Sequence, residues 1–87
     1  MNIVFAPKAF KDYTDFQVED KKITKKINEL IKDIIRNGVD EGIGKPEPLK
    51  YGFSGTWSRH ITKEHRLIYF ISGDFLNILS CRGHYEN

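Results

Sequence analysis

Glu47, Arg66 and His84 are the residue types in this chain that could together break a phosphodiester bond. Cleaving RNA without a metal needs three parts. A base takes the proton of the ribose 2′-hydroxyl, a cation neutralises charge on the phosphorane, and an acid protonates the leaving 5′-oxygen. Glutamate, arginine and histidine supply these in turn, and Tyr85 adjoins the histidine. Glu47 stands between Pro46 and Pro48, which restrict the backbone on both sides and lower the entropy lost in holding the carboxylate. Each residue also has an ordinary reading. A loop glutamate is usually a solvated charge, an arginine opening a strand is usually a rim charge, and a histidine near a chain end is usually frayed. Spacing alone does not decide between the two. Other chemistries are easier to exclude. His60, His65, His84 and Cys81 lack the spacing of CxxC or HExxH metal sites. A nucleophile elbow, a phosphate-binding P-loop and a dinucleotide fingerprint are also missing. An enzyme of this sequence is therefore expected to work by acid–base chemistry with no metal and no cofactor.

The elements that must position these groups read as β-α-α-β-β-β. Ile3-Val4-Phe5 is a short β-prone run, and Pro7 suits the first turn of a helix. Phe10, Tyr13 and Phe16 recur every third residue, as on one helix face. Asp20 is placed to N-cap a second helix. In that helix Ile23, Ile27, Leu30, Ile31 and Ile34 form a buried stripe, ended by Asn37-Gly38. Gly38, Gly42, Gly44, Pro46 and Pro48 preclude a regular element between residues 38 and 48; a long loop inside a small domain is often functional. Residues 56–62 alternate, with Trp57, Arg59 and Ile61 on one face and Ser58 and His60 on the other. Residues 66–71 and 75–81 read as two more strands, joined through Ser72-Gly73-Asp74, and residues 62–65 connect the first pair. The simplest packing is α+β: two N-terminal helices on one face of a mainly antiparallel sheet.

The chain has 87 residues, which predicts one domain over 1–87 with a thin core. Hydrophobic residues at 39% and charged residues at 30% favour a folded domain over disorder. The formal charge of +2, from 14 basic and 12 acidic residues, says little about partners. Lys21, Lys25, Lys32 and Arg36 fall opposite the isoleucine stripe, where they could meet RNA phosphates or serve as a solvated helix face. Trp57 reads as core or rim packing, and Cys81 as a small buried hydrophobe. One cysteine forbids an internal disulfide, the first eight residues carry no charged leader or long apolar run, and residues 67–71 are far too short to cross a bilayer. The expectation is a cytoplasmic protein with no membrane association.

Several strings carry a resemblance. Lys25-Lys26-Ile27-Asn28-Glu29-Leu30-Ile31-Lys32-Asp33 is similar to the second helix of YoeB-type toxins of the RelE/ParE superfamily. So are Gly44-Lys45-Pro46-Glu47-Pro48-Leu49-Lys50, Ser54-Gly55, Trp57-Ser58-Arg59, Ile61-Thr62, Glu64-His65-Arg66-Leu67 and the terminal His84-Tyr85. They run in the same order and spacing over nearly the whole chain. The resemblance implies a RelE-like fold, a single toxin domain, and a bacterial type II toxin held inactive by a YefM-like antitoxin. It implies an endoribonuclease that enters the ribosomal A site and cleaves the mRNA there, inhibiting translation. Carried over by match, Glu47 is the general base, His84 the general acid, Arg66 the stabiliser of the pentacovalent phosphate and Tyr85 a positioning group. Lys50 would bind or polarise the phosphate, and Arg59 and His60 would touch RNA. A homodimer is the assembly that relatives suggest.

The chain departs from the family pattern at three places. Relatives tend to carry a second arginine where this chain has His60, which removes a permanent cation and points to a weaker or pH-dependent grip. Gly83 replaces a bulkier residue before His84, so a looser hold on the histidine is expected. Glu86-Asn87 extend past His-Tyr and bring a further carboxylate. A glutamate is a weak base toward a sugar hydroxyl, so orientation, which can contribute about 7–11 kcal/mol, is expected to carry most of the rate. Three competing readings remain at this point: a ParE-type gyrase poison, a non-enzymatic binding module, and an RNase that needs no ribosome. An antitoxin is expected on physical grounds as well, since a disordered acidic segment folding on binding would cover the Lys50/Arg66/His84 surface.

Overall fold

The most strongly amphipathic stretch of the sequence begins at Asp20. Its side chain accepts a hydrogen bond from the Lys22 N–H at 3.1 Å and so caps helix α2, Lys21–Asn37. Ile23, Ile27, Leu30, Ile31 and Ile34 are all buried, and Gly38 closes the helix with φ +94°. Helix α1, Pro7–Glu19, precedes it and buries Ala9, Asp12 and Phe16. The two helices are tied by Tyr13 Oη, which donates to Asn28 Oδ1 at 2.6 Å. The computed structural model describes residues 1–50 and 55–83.

Among the described residues, five strands complete the α+β arrangement expected from the sequence: β1 Asn2–Phe5, β2 Glu47–Pro48, β3 Trp57–His60, β4 Arg66–Ser72 and β5 Phe75–Ser80. They form one sheet in the order β1-β5-β4-β3-β2. β2 through β5 pair antiparallel, whereas β1 joins β5 in parallel, Asn2 facing Phe75 and Phe5 facing Ile78. Leu67, Tyr69, Leu76 and Ile78 belong to the core shared with the helices, and Trp57 packs against it. Since side chains alternate along a strand, one sheet face meets the helices and the other does not.

Two local expectations are corrected. The Gly/Pro stretch does contain a regular element: Glu47 and Pro48 pair with Ser58 and Trp57. Pro48 is tolerated because β2 is the last strand of the sheet, where a missing N–H breaks no second ladder. Phe10 is 55% exposed and does not continue the buried face of α1; its ring packs edge-on against Phe5 instead. A 13-residue helix lying on a sheet buries a narrower stripe than the three-residue repeat suggests.

Cys81 is fully buried beside α1, with Sγ 3.5 Å from the Ala9 carbonyl oxygen. Burial, aided by the nearby Asp12 charge, pushes its thiol up to about 11. The thiolate is the reactive species. Cys81 will therefore resist iodoacetamide at pH 8 in the native protein and alkylate fully in denaturant, as read by intact mass; rapid native labelling would contradict this burial.

Candidate functional site

The strand pairings place the proposed chemical groups on the sheet face turned away from the helices. Glu47 faces Ser58, Ser58 faces Ile68, and His60 faces Arg66. Paired residues share a face, as do residues two apart on a strand. Glu47, Ser58, His60, Arg66 and Ile68 therefore lie on one side, with one strand, β3, between the glutamate on β2 and the arginine on β4. Ideal strand spacing puts the Cα atoms of Glu47 and Arg66 about 12 Å apart, which two long side chains can close around a nucleotide. Ser58 and Ile68 beneath them are buried, whereas Glu47 is exposed and His60 and Arg66 are partly so.

Arg66 is held from below. Its Nη1 donates to the carbonyl oxygens of Thr62, Lys63 and His65 at 2.7, 3.2 and 3.2 Å, so the β3–β4 turn fixes the base of the guanidinium. The turn is itself closed by Thr62 Oγ1, which accepts from the Glu64 and His65 N–H groups at 3.1 Å each. His60 donates its N–H to the Gly44 carbonyl at 2.7 Å, which ties the loop before β2 to β3. Lys50 is exposed just past β2, where the Leu49 N–H donates to the Thr56 carbonyl at 2.9 Å. His84 and Tyr85 lie outside the described residues, as do Glu86 and Asn87. Gly83, the last described residue, is bonded at both backbone groups. Its N–H donates to His65 Nδ1 and its carbonyl accepts from the Arg66 N–H, each at 2.9 Å. The looser hold expected for His84 falls outside the described residues.

Arg59 departs from expectation. It is 0% exposed and cannot touch RNA. Its Nε donates to Tyr69 Oη at 2.8 Å. Nη1 donates to Asp33 Oδ2 at 2.6 Å and to the Ile43 carbonyl at 3.0 Å, and Nη2 to the Gly38 and Glu41 carbonyls at 2.9 and 2.6 Å. These bonds use all five guanidinium N–H donors. Tyr69 Oη in turn donates to the Val39 carbonyl at 2.6 Å. The irregular chain from Gly38 to Gly44 has buried carbonyls that need donors, and Arg59 supplies them. The loop that delivers Glu47 is thus built around Arg59. The sequence carried a sign of this, because the alternation put Arg59 on the same face as Trp57 and Ile61, which is the core face. The basic row Lys21, Lys25, Lys32 and Arg36 is exposed on the helix layer, across the molecule from Glu47 and Arg66.

Asp33 gives this network a pH signature. Desolvation pushes its carboxyl up. The hydrogen bond and charge of Arg59, with the bonds from the Ile43 N–H and Asn37, outweigh that and hold it below the usual carboxylate range. Asp12 behaves the same way: desolvation opposes, and Lys8 and Arg82 prevail. A carboxylate with a depressed folded pKa contributes stability that is complete above its unfolded pKa, about 3.9, and is lost as pH falls through the folded value. Urea midpoints will therefore fall steeply below about pH 4. Asp33→Asn, less stable at neutral pH, will show a shallower acid dependence; equal slopes would remove Asp33 from the account.

The sequence matches the profile of the YoeB-like toxin of bacterial type II toxin–antitoxin systems over residues 5–85. It is 53% identical over 85 residues to Toxin YoeB of Escherichia coli K12, covering 98% of this chain and all of that one. It is 55% identical over 86 residues to Toxin YoeB of Synechocystis, covering 99% of each. Among solved structures, the YoeB dimer from Staphylococcus aureus superposes with a TM-score of 0.94 at 55% identity over 98% of both chains. The YoeB–YefM heterotetramer from the same organism gives 0.90 at 55% identity, again over 98% of both. A chain of the E. coli DinJ–YafQ complex, 23% identical with a TM-score of 0.78 over 95% of this chain and 92% of that one, shares the fold. With the same α+β sheet, and the Pro-Glu-Pro and Glu-His-Arg segments brought to one face of it, the chain belongs to the YoeB-like toxins of bacterial type II toxin–antitoxin systems.

Proposed function

We propose that this toxin is a ribosome-dependent endoribonuclease that cuts mRNA in the ribosomal A site and so stops translation. Glu47 takes the proton from the ribose 2′-oxygen, which attacks phosphorus. The O2′–P bond forms, the P–O5′ bond breaks, and His84 returns a proton to the leaving O5′. Arg66 and Lys50 stabilise the dianionic phosphorane, Tyr85 positions the substrate, and His60, opposite Arg66, contacts the RNA. The Arg66 guanidinium is anchored at Nη1 by the β3–β4 turn. Arg59 has no part in the substrate contact. No metal is needed by this chemistry. The observation that carries the reading is the shared sheet face of Glu47, His60 and Arg66, with Gly83 bonded against Arg66.

The chain's partners follow from the same reading. A YefM-like antitoxin, seen with YoeB in the S. aureus complex, silences the toxin by covering the Lys50/Arg66 surface, and a homodimer is the free form. The test is primer extension on an actively translated mRNA, with wild type beside His84→Ala. Cuts at A-site codons from wild type alone are expected. Cuts on naked RNA would indicate a free-standing nuclease. Growth arrest without cuts from either protein would favour a gyrase poison or a binding module.

A further inference from the structure

Cys81, Arg82 and Gly83, which follow β5, are each tied to another element of the fold. Cys81 is buried against Ala9 of α1. Arg82 reaches the same helix: Nη2 lies 2.6 Å from Glu19 Oε2, Nε lies 3.4 Å from Asp12 Oδ1, and its guanidinium carbon sits 4.1 Å from the Phe16 ring centroid. Gly83 then crosses to the β3–β4 turn, where it exchanges the bonds already described with His65 Nδ1 and the Arg66 N–H. Gly83 takes φ +94°, a region open to glycine and strained for other residues. His65 is itself seated edge-on against Phe16, with ring centroids 5.2 Å apart. Accepting at Nδ1 requires a neutral ring that carries its proton on Nε2. One aromatic ring, Phe16, therefore braces both the arginine before Gly83 and the histidine that accepts from it.

We infer that His65 and Arg82 are positioning residues for RNA cleavage, acting through Gly83 to fix the point from which the segment bearing His84 and Tyr85 leaves the sheet beside Arg66. The inference rests on the catalytic reading of His84 given above. Neither residue touches the substrate. An acid on an unanchored segment would sample many positions, and anchoring the residue before it cuts that loss where orientation matters most.

The experiment compares wild type, His65→Ala, His65→Asn, His65→Gln, Arg82→Ala and His84→Ala on ribosomes programmed with a defined mRNA, reading kcat and KM separately. The asparagine Oδ1 occupies the place of the histidine Nδ1, whereas the glutamine Oε1 is displaced by one carbon. His65→Ala and His65→Gln are expected to lose about 10²-fold in kcat at unchanged KM, a loss typical of an Å-scale misplacement. His65→Asn should recover most of it, with all three variants melting within a few degrees of one another. Arg82→Ala should lower kcat in the same sense. In parallel, the Gly83 amide should lose protection from hydrogen exchange in His65→Ala and keep it in His65→Asn. Full kcat in His65→Ala, with His84→Ala inactive, would overturn the positioning role alone. Equal loss in the asparagine and glutamine variants would do so too. Wild-type cleavage by His84→Ala would instead remove the reading on which it rests.

Discussion

Arg59→Ala will cost about 3–5 kcal/mol of folding stability, the range for breaking a buried ion pair by removing one partner. The wild-type side chain is wholly buried and gives all five of its donors to protein acceptors. Truncation strands the Asp33 carboxylate, the Tyr69 hydroxyl and three loop carbonyls together. A domain of this size has about 5–15 kcal/mol in total, so the variant will be partly unfolded at 37 °C. Lysine will not substitute, because a point charge with three donors cannot reach acceptors spread around a planar fork. Urea denaturation at pH 7 checks this; a loss below about 1 kcal/mol, the size of an exposed pair, would refute it. The expectation also guards against a misreading. Arg59→Ala will lose toxicity, yet the loss will track folded fraction and will not report an RNA contact. Asp33→Asn combined with Arg59→Met should cost less than the sum of the two changes, since each alone leaves a charge without its ion-pair partner.

Glu47→Gln and Arg66→Ala will do the reverse, removing activity while leaving the fold nearly intact. Glutamine cannot take the 2′-hydroxyl proton, so cleavage should fall about 10²–10⁴-fold, as for loss of a general base. Removing the guanidinium should lower it about 10²–10³-fold, as for loss of one charge-stabilising donor. Glu47 is exposed on the last strand of the sheet and buries nothing. The bonds from Arg66 to the turn carbonyls are partly open to water and contribute about 1 kcal/mol at most. Single-turnover cleavage on programmed ribosomes, with melting temperatures alongside, separates these two variants from Arg59→Ala. Cleavage by Glu47→Gln at the wild-type rate would exclude the carboxylate as base.

What the sequence revealed depends on how local each signal is. Helix α2 was legible from end to end, because its cap Asp20, its isoleucine stripe and its stop Gly38 all lie within one window. The three strands β3 to β5 were legible for the same reason, with turn residues between them. Strand β2 was not, because two residues flanked by prolines have no periodicity; it is a strand only because Ser58 and Trp57 are there to pair with it. The parallel docking of β1 on β5 was equally hidden, since nothing near Ile3 specifies Leu76. In the site, residue types singled out Glu47, Arg66 and His84, and family resemblance added Lys50, Arg59, His60 and a role for Tyr85. Resemblance misled at Arg59, where a motif arginine is structural. The alternation of β3 already held the correction, since a charge on the face of Trp57 and Ile61 must be buried or must break the strand.

The parallel pairing of β1 with β5 also bears on when this toxin can exist. Asn2 and Phe5 find their partners at Phe75 and Ile78, so the sheet joins a segment made early in synthesis to one made much later. The helical hairpin and the β3–β4–β5 meander rest on near neighbours and can form first. Closing the outermost ladder must await β5 and carries the entropic cost of a long loop. The clasp of Cys81, Arg82 and Gly83 comes later still in sequence. A chain whose β5 has not yet been made therefore lacks both the finished sheet and this clasp. The finished fold is thereby postponed until β5 has been made, long after both helices are out.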